Sequence, residues 1–156
     1  MINYTMKIDD LDKKILNFLQ KDGRIAASHI ADELNISIPT VTERIKKLSE
    51  NGVIQGFHVT LDPKSLGLDV SAIITVISES SEHYKDVIHS AMNTPEVVQC
   101  FSTTGKGSHT IIVVAKNSQA LEELLRKIQS WPGVSRTETQ VILSSYPINN
   151  NTYAIT

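Results

Sequence analysis

The stretch Ser28 to Leu48, SHIADELNISIPTVTERIKKL, constrains this chain most, because two short apolar periodicities meet there with almost no room for a loop. Ile30, Ala31 and Leu34 share one helical face, Asn35 is a residue type that tolerates a left-handed turn, and Ile36 anchors the chain beyond it. Ser37 then offers an N-cap oxygen, and Pro39 falls in a first turn where its missing N–H is not needed. A second helix runs on to Gly52, a C-terminal stop. Along it Ile38, Val41, Ile45 and Leu48 recur every three or four residues and share a face. Pro39, Thr40, Thr42, Glu43, Lys46 and Lys47 are left on the other face, with Arg44 near the boundary. Two helices around so tight a turn predict a helix-turn-helix, which makes DNA the first partner to consider.

Charge neither supports nor removes that reading. The formal net charge is −2, so phosphate neutralisation must rest on local placement. Arg44, Lys46 and Lys47 cluster within about one and a half turns, and Lys13, Lys14, Lys21 and Arg24 lie nearby in sequence. The helix that precedes the motif has Asp9 or Asp10 as its cap, Leu11, Ile15, Phe18 and Leu19 on its apolar face, and Asp22-Gly23 as its end. Residues 1–52 are therefore expected to form a three-helix DNA-binding domain. Residues 53–69 read as a wing or linker strand, apolar at Val53, Ile54, Phe57, Val59 and Leu61, followed by a turn at Asp62 to Ser65.

From residue 70 the pattern alternates. Val70–Ile77, Val97–Thr104, Thr110–Ala115 and Ser135–Leu143 read as strands, and Glu82–Asn93 and Ser118–Ser130 as helices. The order β-α-β-β-α-β over residues 70–147 is that of a ferredoxin-like sheet, so the fold class is α+β. Two helices cover one face of such a sheet. Ser71, Ile73, Thr75 and Ile77 face away from Ala72, Ile74 and Val76, and an open, largely apolar face predicts a second copy as its cover. The tail, 148–156, with Asn149-Asn150-Asn151-Thr152, reads as a poorly ordered end.

Other classes are excluded or disfavoured. No run of about 18 apolar residues could span a membrane, and the N-terminal MINYTMKIDD is polar where a signal peptide would be apolar, so a cytoplasmic protein is expected. Cys100 stands alone, which precludes an internal disulfide and a Cys-based zinc site, and it reads as a small core residue. The histidines at 29, 58, 83, 89 and 109 show no metal-ligand spacing and read as surface residues. No cofactor or metal is expected.

Motifs in both halves sharpen this reading. Asp9, Asp12, Ile15 and Leu16, the run Leu19 to Arg24, Val41-x-x-Arg44-Ile45-x-x-Leu48 and Gly52 to Phe57 mark the first half. Leu66-Gly67, Thr104-Gly105 and Pro132-Gly133-Val134 followed by Thr137, Thr139 and Val141 mark the second. In these residues, in this order over roughly residues 8 to 147, the chain resembles the Lrp/AsnC, or feast/famine, family of transcriptional regulators. The resemblance implies a helix-turn-helix joined to a domain that assembles subunits and senses small molecules, usually amino acids. It implies dimers formed through the sheets, assembling further to tetramers or octamers. It also implies an effector site between subunits, carried here by Thr104, Gly105, Lys106, Gly107, Ser108 and His109 facing Thr137 and Thr139. Some members have acidic residues where this loop has Lys106 and Ser108.

The candidate DNA surface is Ser37, Ile38, Pro39, Thr40, Thr42, Glu43, Arg44, Lys46 and Lys47. Residues at the N-terminal end of such a helix meet base edges; Thr40 and Thr42 can donate or accept there, and Glu43 can accept from a cytosine amino group. Lys46 and Lys47 suit phosphates. Arg44 is either a DNA contact or a structural partner of Glu43 or Glu50. Gly105 and Gly107 either let backbone amides converge on an anion or serve a plain hairpin turn. Two rivals remain: an enzyme resembling the sirohaem decarboxylases that share this fold, and a ligand-binding or assembly module with an idle helix-turn-helix.

Overall fold

The computed structural model describes residues 7–146 and 153–155. They form two compact units: one contains the chain up to Thr60 together with Tyr146 and residues 153–155, and the other is Leu61–Ser145. Of the expected poorly ordered tail, 148–156, residues 148–152 and 156 lie outside the described residues, while 153–155 are described and Tyr153 is hydrogen-bonded to Gln20.

The first unit is built from α1 (Asp10–Lys21), α2 (Ala27–Leu34) and α3 (Ile38–Glu50). Helix α1 starts with a reciprocal cap: the Asp12 N–H donates to Asp9 Oδ1 at 2.8 Å, and the Asp9 N–H donates to Asp12 Oδ2 at 3.1 Å. Helix α2 stops where Asn35 takes the left-handed conformation, φ 52° and ψ 46°. The Ile36 N–H then reaches back to the Ala31 carbonyl at 3.0 Å, which points the chain straight into α3. Ile15, Ile30, Ala31 and Val41 are buried where the helices meet, with Leu11, Phe18, Leu34 and Ile45 packed around them. Ile38, expected on the core stripe, is exposed at the first turn of α3.

Within the single chain no strand is found between residues 53 and 69. Val53 and Ile54 both donate to the Leu48 carbonyl, at 2.9 and 3.1 Å, and the chain from Gln55 to Asp62 is neither helix nor strand. A strand needs a neighbour to pair with, and no other segment of the described residues runs beside this one in a ladder.

The second unit is a four-stranded sheet, β1 (Val70–Ser78), β2 (Val97–Ser102), β3 (His109–Ala115) and β4 (Val134–Ile142), with α4 (Tyr84–Met92) and α5 (Ser118–Gln129). The strand order is β2-β3-β1-β4 with every neighbouring pair antiparallel, the ferredoxin-like arrangement. Helix α4 begins two residues later than the periodicity suggests, because Ser81–His83 form a separate 3-10 turn. Ala72, Ile74, Val76, Ile111 and Val113 on one face pack against Val87, Ala91, Leu121, Leu124 and Ile128. Ile73, Ile77, Ile112 and Val114 on the other face stay half-buried in the single chain.

Candidate nucleic-acid interface and loop site

Helix α3 presents two unlike faces. Val41 and Leu48 are wholly buried, which fixes the helix in rotation, and Ser37, Ile38, Pro39, Thr42, Glu43, Lys46 and Lys47 consequently project outward. Ser37 caps the helix through the Thr40 N–H at 3.3 Å, and its hydroxyl also lies 2.7 Å from Thr40 Oγ1. Thr42 donates its hydroxyl to the Ile38 and Pro39 carbonyls, both at 3.0 Å, so its remaining capacity toward a base edge is as an acceptor. Lys47 pairs with Glu43 at 2.9 Å and Lys46 with Glu50 at 3.7 Å; both are exposed one-turn pairs that cost little to exchange for phosphate. Lys47 holds the Glu43 carboxyl below its ordinary pKa.

Arg44 takes up a structural pairing, with partners other than the two expected. Its Nη1 donates to Asp12 Oδ1 at 3.0 Å and to Asp9 Oδ2, not to Glu43 or Glu50. Asp12 is 2% exposed, so one wall of the pair is desolvated. Asp9 and Asp12 together raise the pKa of the guanidinium, and Arg44 pulls that of Asp9 down, with the Asp12 backbone N–H assisting. The capping box at the start of α1 thus doubles as the seat that holds α3, and the Arg44 side chain is half-buried in it. Its position three residues after Val41 and four before Leu48 puts it beside the core stripe, which is the signal that points to this role.

The loop between β2 and β3 is shaped by its neighbours across β1. A Cβ on Gly107 would lie 2.3 Å from Thr75 Cγ2 and 2.8 Å from the Val76 carbonyl oxygen, so only glycine lets the loop approach so closely. Gly105 is different: φ is +107° and its surroundings are open. The Ser108 N–H donates to Val76 O at 3.0 Å, and Ser108 Oγ lies 2.7 Å from Ser78 Oγ and 2.9 Å from His109 Nδ1. His109, expected at the surface, is wholly buried; its ring meets Tyr84 edge-on at 5.2 Å, and burial pushes its pKa down. Its Nε2 has no hydrogen-bond partner among the described residues. Alternation with the buried Ile111 and Val113 is the signal that would have placed it inside.

Thr104, Gly105 and Lys106 are exposed at the tip of this loop. The loop does not face Thr137 and Thr139 within one chain. Val76 pairs with His109 on one side and with Thr137 on the other, so β1 stands between them. Thr137 Oγ1 accepts from Gln129 Nε2 at 3.2 Å, and Thr139 is exposed.

Two family models divide the chain along the same lines: residues 8–55 match winged helix-turn-helix DNA-binding domains, and residues 70–151 match the Lrp/AsnC ligand binding domain. The chain belongs to the Lrp/AsnC family. It is 35% identical over 136 residues to the HTH-type transcriptional regulator FL11 of Pyrococcus furiosus, covering 87% of this chain and 89% of that one. The solved structure of E. coli AsnC is 33% identical and superposes with a TM-score of 0.84 over 92% of this chain and 96% of that one. A feast or famine regulatory protein from M. tuberculosis, solved in complex with L-methionine, superposes with a TM-score of 0.88 at 27% identity, over 96% and 100%. This Lrp/AsnC member is a transcriptional regulator with a helix-turn-helix for DNA and a ligand-binding domain. Among the described residues no helix is long and apolar enough to cross a membrane, and no cluster of His, Cys, Asp or Glu is arranged to hold a metal.

Proposed function

We propose that this regulator reads a specific, pseudo-palindromic DNA site as a dimer, with two copies of α3 in successive major grooves about 34 Å apart, and that an amino acid bound between subunits alters this binding. The observation that carries the reading is the outward face of α3. Buried Val41 and Leu48 behind it and the Arg44 clamp beside it hold Ser37 to Glu43 as a presented surface, with Lys46 and Lys47 one turn further along. Thr40, Thr42 and Glu43 address base edges, and Lys46 and Lys47 address phosphates. Arg44 contributes by holding α3 in place.

The half-buried, apolar outer face of the sheet supports assembly through a second copy. A subunit edge brought alongside is also what would place Thr137 and Thr139 of one copy near the 104–109 loop of another. That loop offers the exposed Lys106 ammonium and the open backbone at Gly105, chemistry suited to the carboxylate end of an amino acid. The relative with L-methionine bound supports this ligand class. Any effect of the ligand on DNA affinity is mirrored by an equal effect of DNA on ligand affinity.

The test is selection of bound sequences from random DNA with and without a panel of amino acids, followed by titration of the selected site. Replacing Lys46 and Lys47 with Ala is expected to leave the thermal midpoint unchanged while lowering the slope of log K against log salt by about 0.9 for each phosphate no longer neutralised. An unchanged affinity and salt slope would remove α3 from the interface.

A further inference from the structure

The first unit carries a second surface, to which α3 contributes no residue. Helix α1, the irregular segment after α3, and Tyr153 and Ile155 together line an open space of about 560 Å³, with Ile8, Leu16, Leu19, Val53 and Phe57 among its apolar side chains. Phe57, one of the lining side chains, is 54% exposed with residues 153–155 in place.

Residues 153–155 form one wall of this space and are hydrogen-bonded to α1. Gln20 Oε1 accepts from the Tyr153 N–H at 2.8 Å, and Gln20 Nε2 donates to the Tyr153 carbonyl at 2.8 Å. One carboxamide therefore satisfies both backbone groups of a single residue, which is how opposite residues of an antiparallel ladder satisfy each other. Gln20 Nε2 also donates to Asn17 Oδ1 at 3.0 Å, which orients the carboxamide so that its oxygen faces the peptide N–H. Asn17 Nδ2 in turn points at the Ile155 carbonyl, at 3.5 Å. The Tyr153 ring is 82% exposed, so the side chain at that position is not read. Ile155 is half-buried and lines this space, which makes it the apolar anchor.

We propose that the α1 surface beside this space is a peptide receptor whose occupant is the segment around Tyr153–Ile155, with Gln20 reading its backbone and Ile155 anchoring it. Recognition by main-chain bonds plus one apolar side chain is the logic of strand addition, achieved here with a glutamine in place of a sheet edge. The seated segment stabilises α1, whose first turn seats Arg44, and leaves the outward face of α3 free.

The proposal is tested with a chain ended after Tyr146 and a fluorescent peptide comprising residues 148–156. Saturable binding is expected, weakened at least tenfold by Gln20→Ala in the truncated chain and at least tenfold by Ile155→Asp in the peptide. No saturable binding, or binding indifferent to Gln20→Ala, would overturn it. Should the truncated chain fail to fold, the full chain decides: carboxypeptidase should release residues 156 to 153 at least tenfold faster from Gln20→Ala than from the unaltered protein, and equal rates overturn the proposal.

Discussion

The helix-turn-helix unit and the ligand-binding unit are each pinned by a buried polar group, but by opposite means. In the first, the Asp12 carboxylate is held by the Arg44 guanidinium and the cap of α1. In the second, His109 is wholly buried among apolar neighbours, where burial favours the neutral ring, and it touches Ser108 and the edge of Tyr84. An ion pair fixes one helix against another through a directed bond between charges; a neutral buried imidazole fixes a strand by packing and by one hydrogen bond. The two units should accordingly fail under different perturbations.

The largest effect is expected where the ion pair is cut. Asp12→Ala removes half of the capping box and leaves Arg44 with only the exposed Asp9, so the helix-turn-helix unit should lose about 3 kcal/mol in a urea titration. A loss below about 1 kcal/mol would mean that the pair does not seat α3. In the other unit the matching damage comes from backbone proximity. Gly107→Ala would drive a Cβ into Thr75 and the Val76 carbonyl, and should cost about 2 kcal/mol with the 103–109 loop displaced. Gly105→Ala, which meets no atom within 4 Å but sits at φ +107°, should cost only about 1 kcal/mol from backbone strain. Reversal of that order would show that the loop is not braced across β1.

The same contrast explains what could be read in advance. All three helices of the first unit follow from residues close in sequence: apolar spacing, Asn35 at the left-handed stop, Ser37 as cap. The βαββαβ order follows equally from alternation and breakers such as Trp131-Pro132-Gly133. What local pattern could not supply is partner choice. Arg44 chose Asp9 and Asp12, 35 and 32 residues away, over the Glu43 and Glu50 nearer in sequence. The extended pattern of Val53 to Leu61 is genuine, yet a strand is defined by its neighbour, and this segment has none among the described residues. His109 and Gly107 acquire their roles only when β3 lies against β1.

Acid should separate the two units. A group whose folded pKa lies below its unfolded value binds more protons when unfolded, so stability falls as pH drops through that interval. For His109 the interval opens at its ordinary value of 6.5, and the ligand-binding unit should weaken below that pH by at most about 1.4 kcal/mol per unit of pH. Asp9, held below its ordinary 3.8 by Arg44, withdraws its support only on the far side of that value. Thermal unfolding followed from pH 7 to pH 4 should therefore show the ligand-binding transition moving first, and His109→Gln should flatten its slope. A slope unchanged by that substitution would place the sensitive group elsewhere.

The smallest effect on stability carries the most information about recognition. Glu43 is exposed and pairs with Lys47 one turn away, so Glu43→Gln should change stability by no more than about 0.5 kcal/mol. Its effect on DNA separates two roles for the same carboxylate. If Glu43 only neutralises Lys47, the substitution frees a cation beside the phosphates, and affinity should rise alike for every sequence, with a steeper salt dependence. If it accepts from a cytosine amino group, one position of the selected site should lose its preference while the rest are kept, at a cost of about 1–3 kcal/mol for the preferred base pair. A uniform gain would locate base reading in Thr40 and Thr42, whose hydroxyls are bonded to the Ser37 side chain and to the first carbonyls of α3.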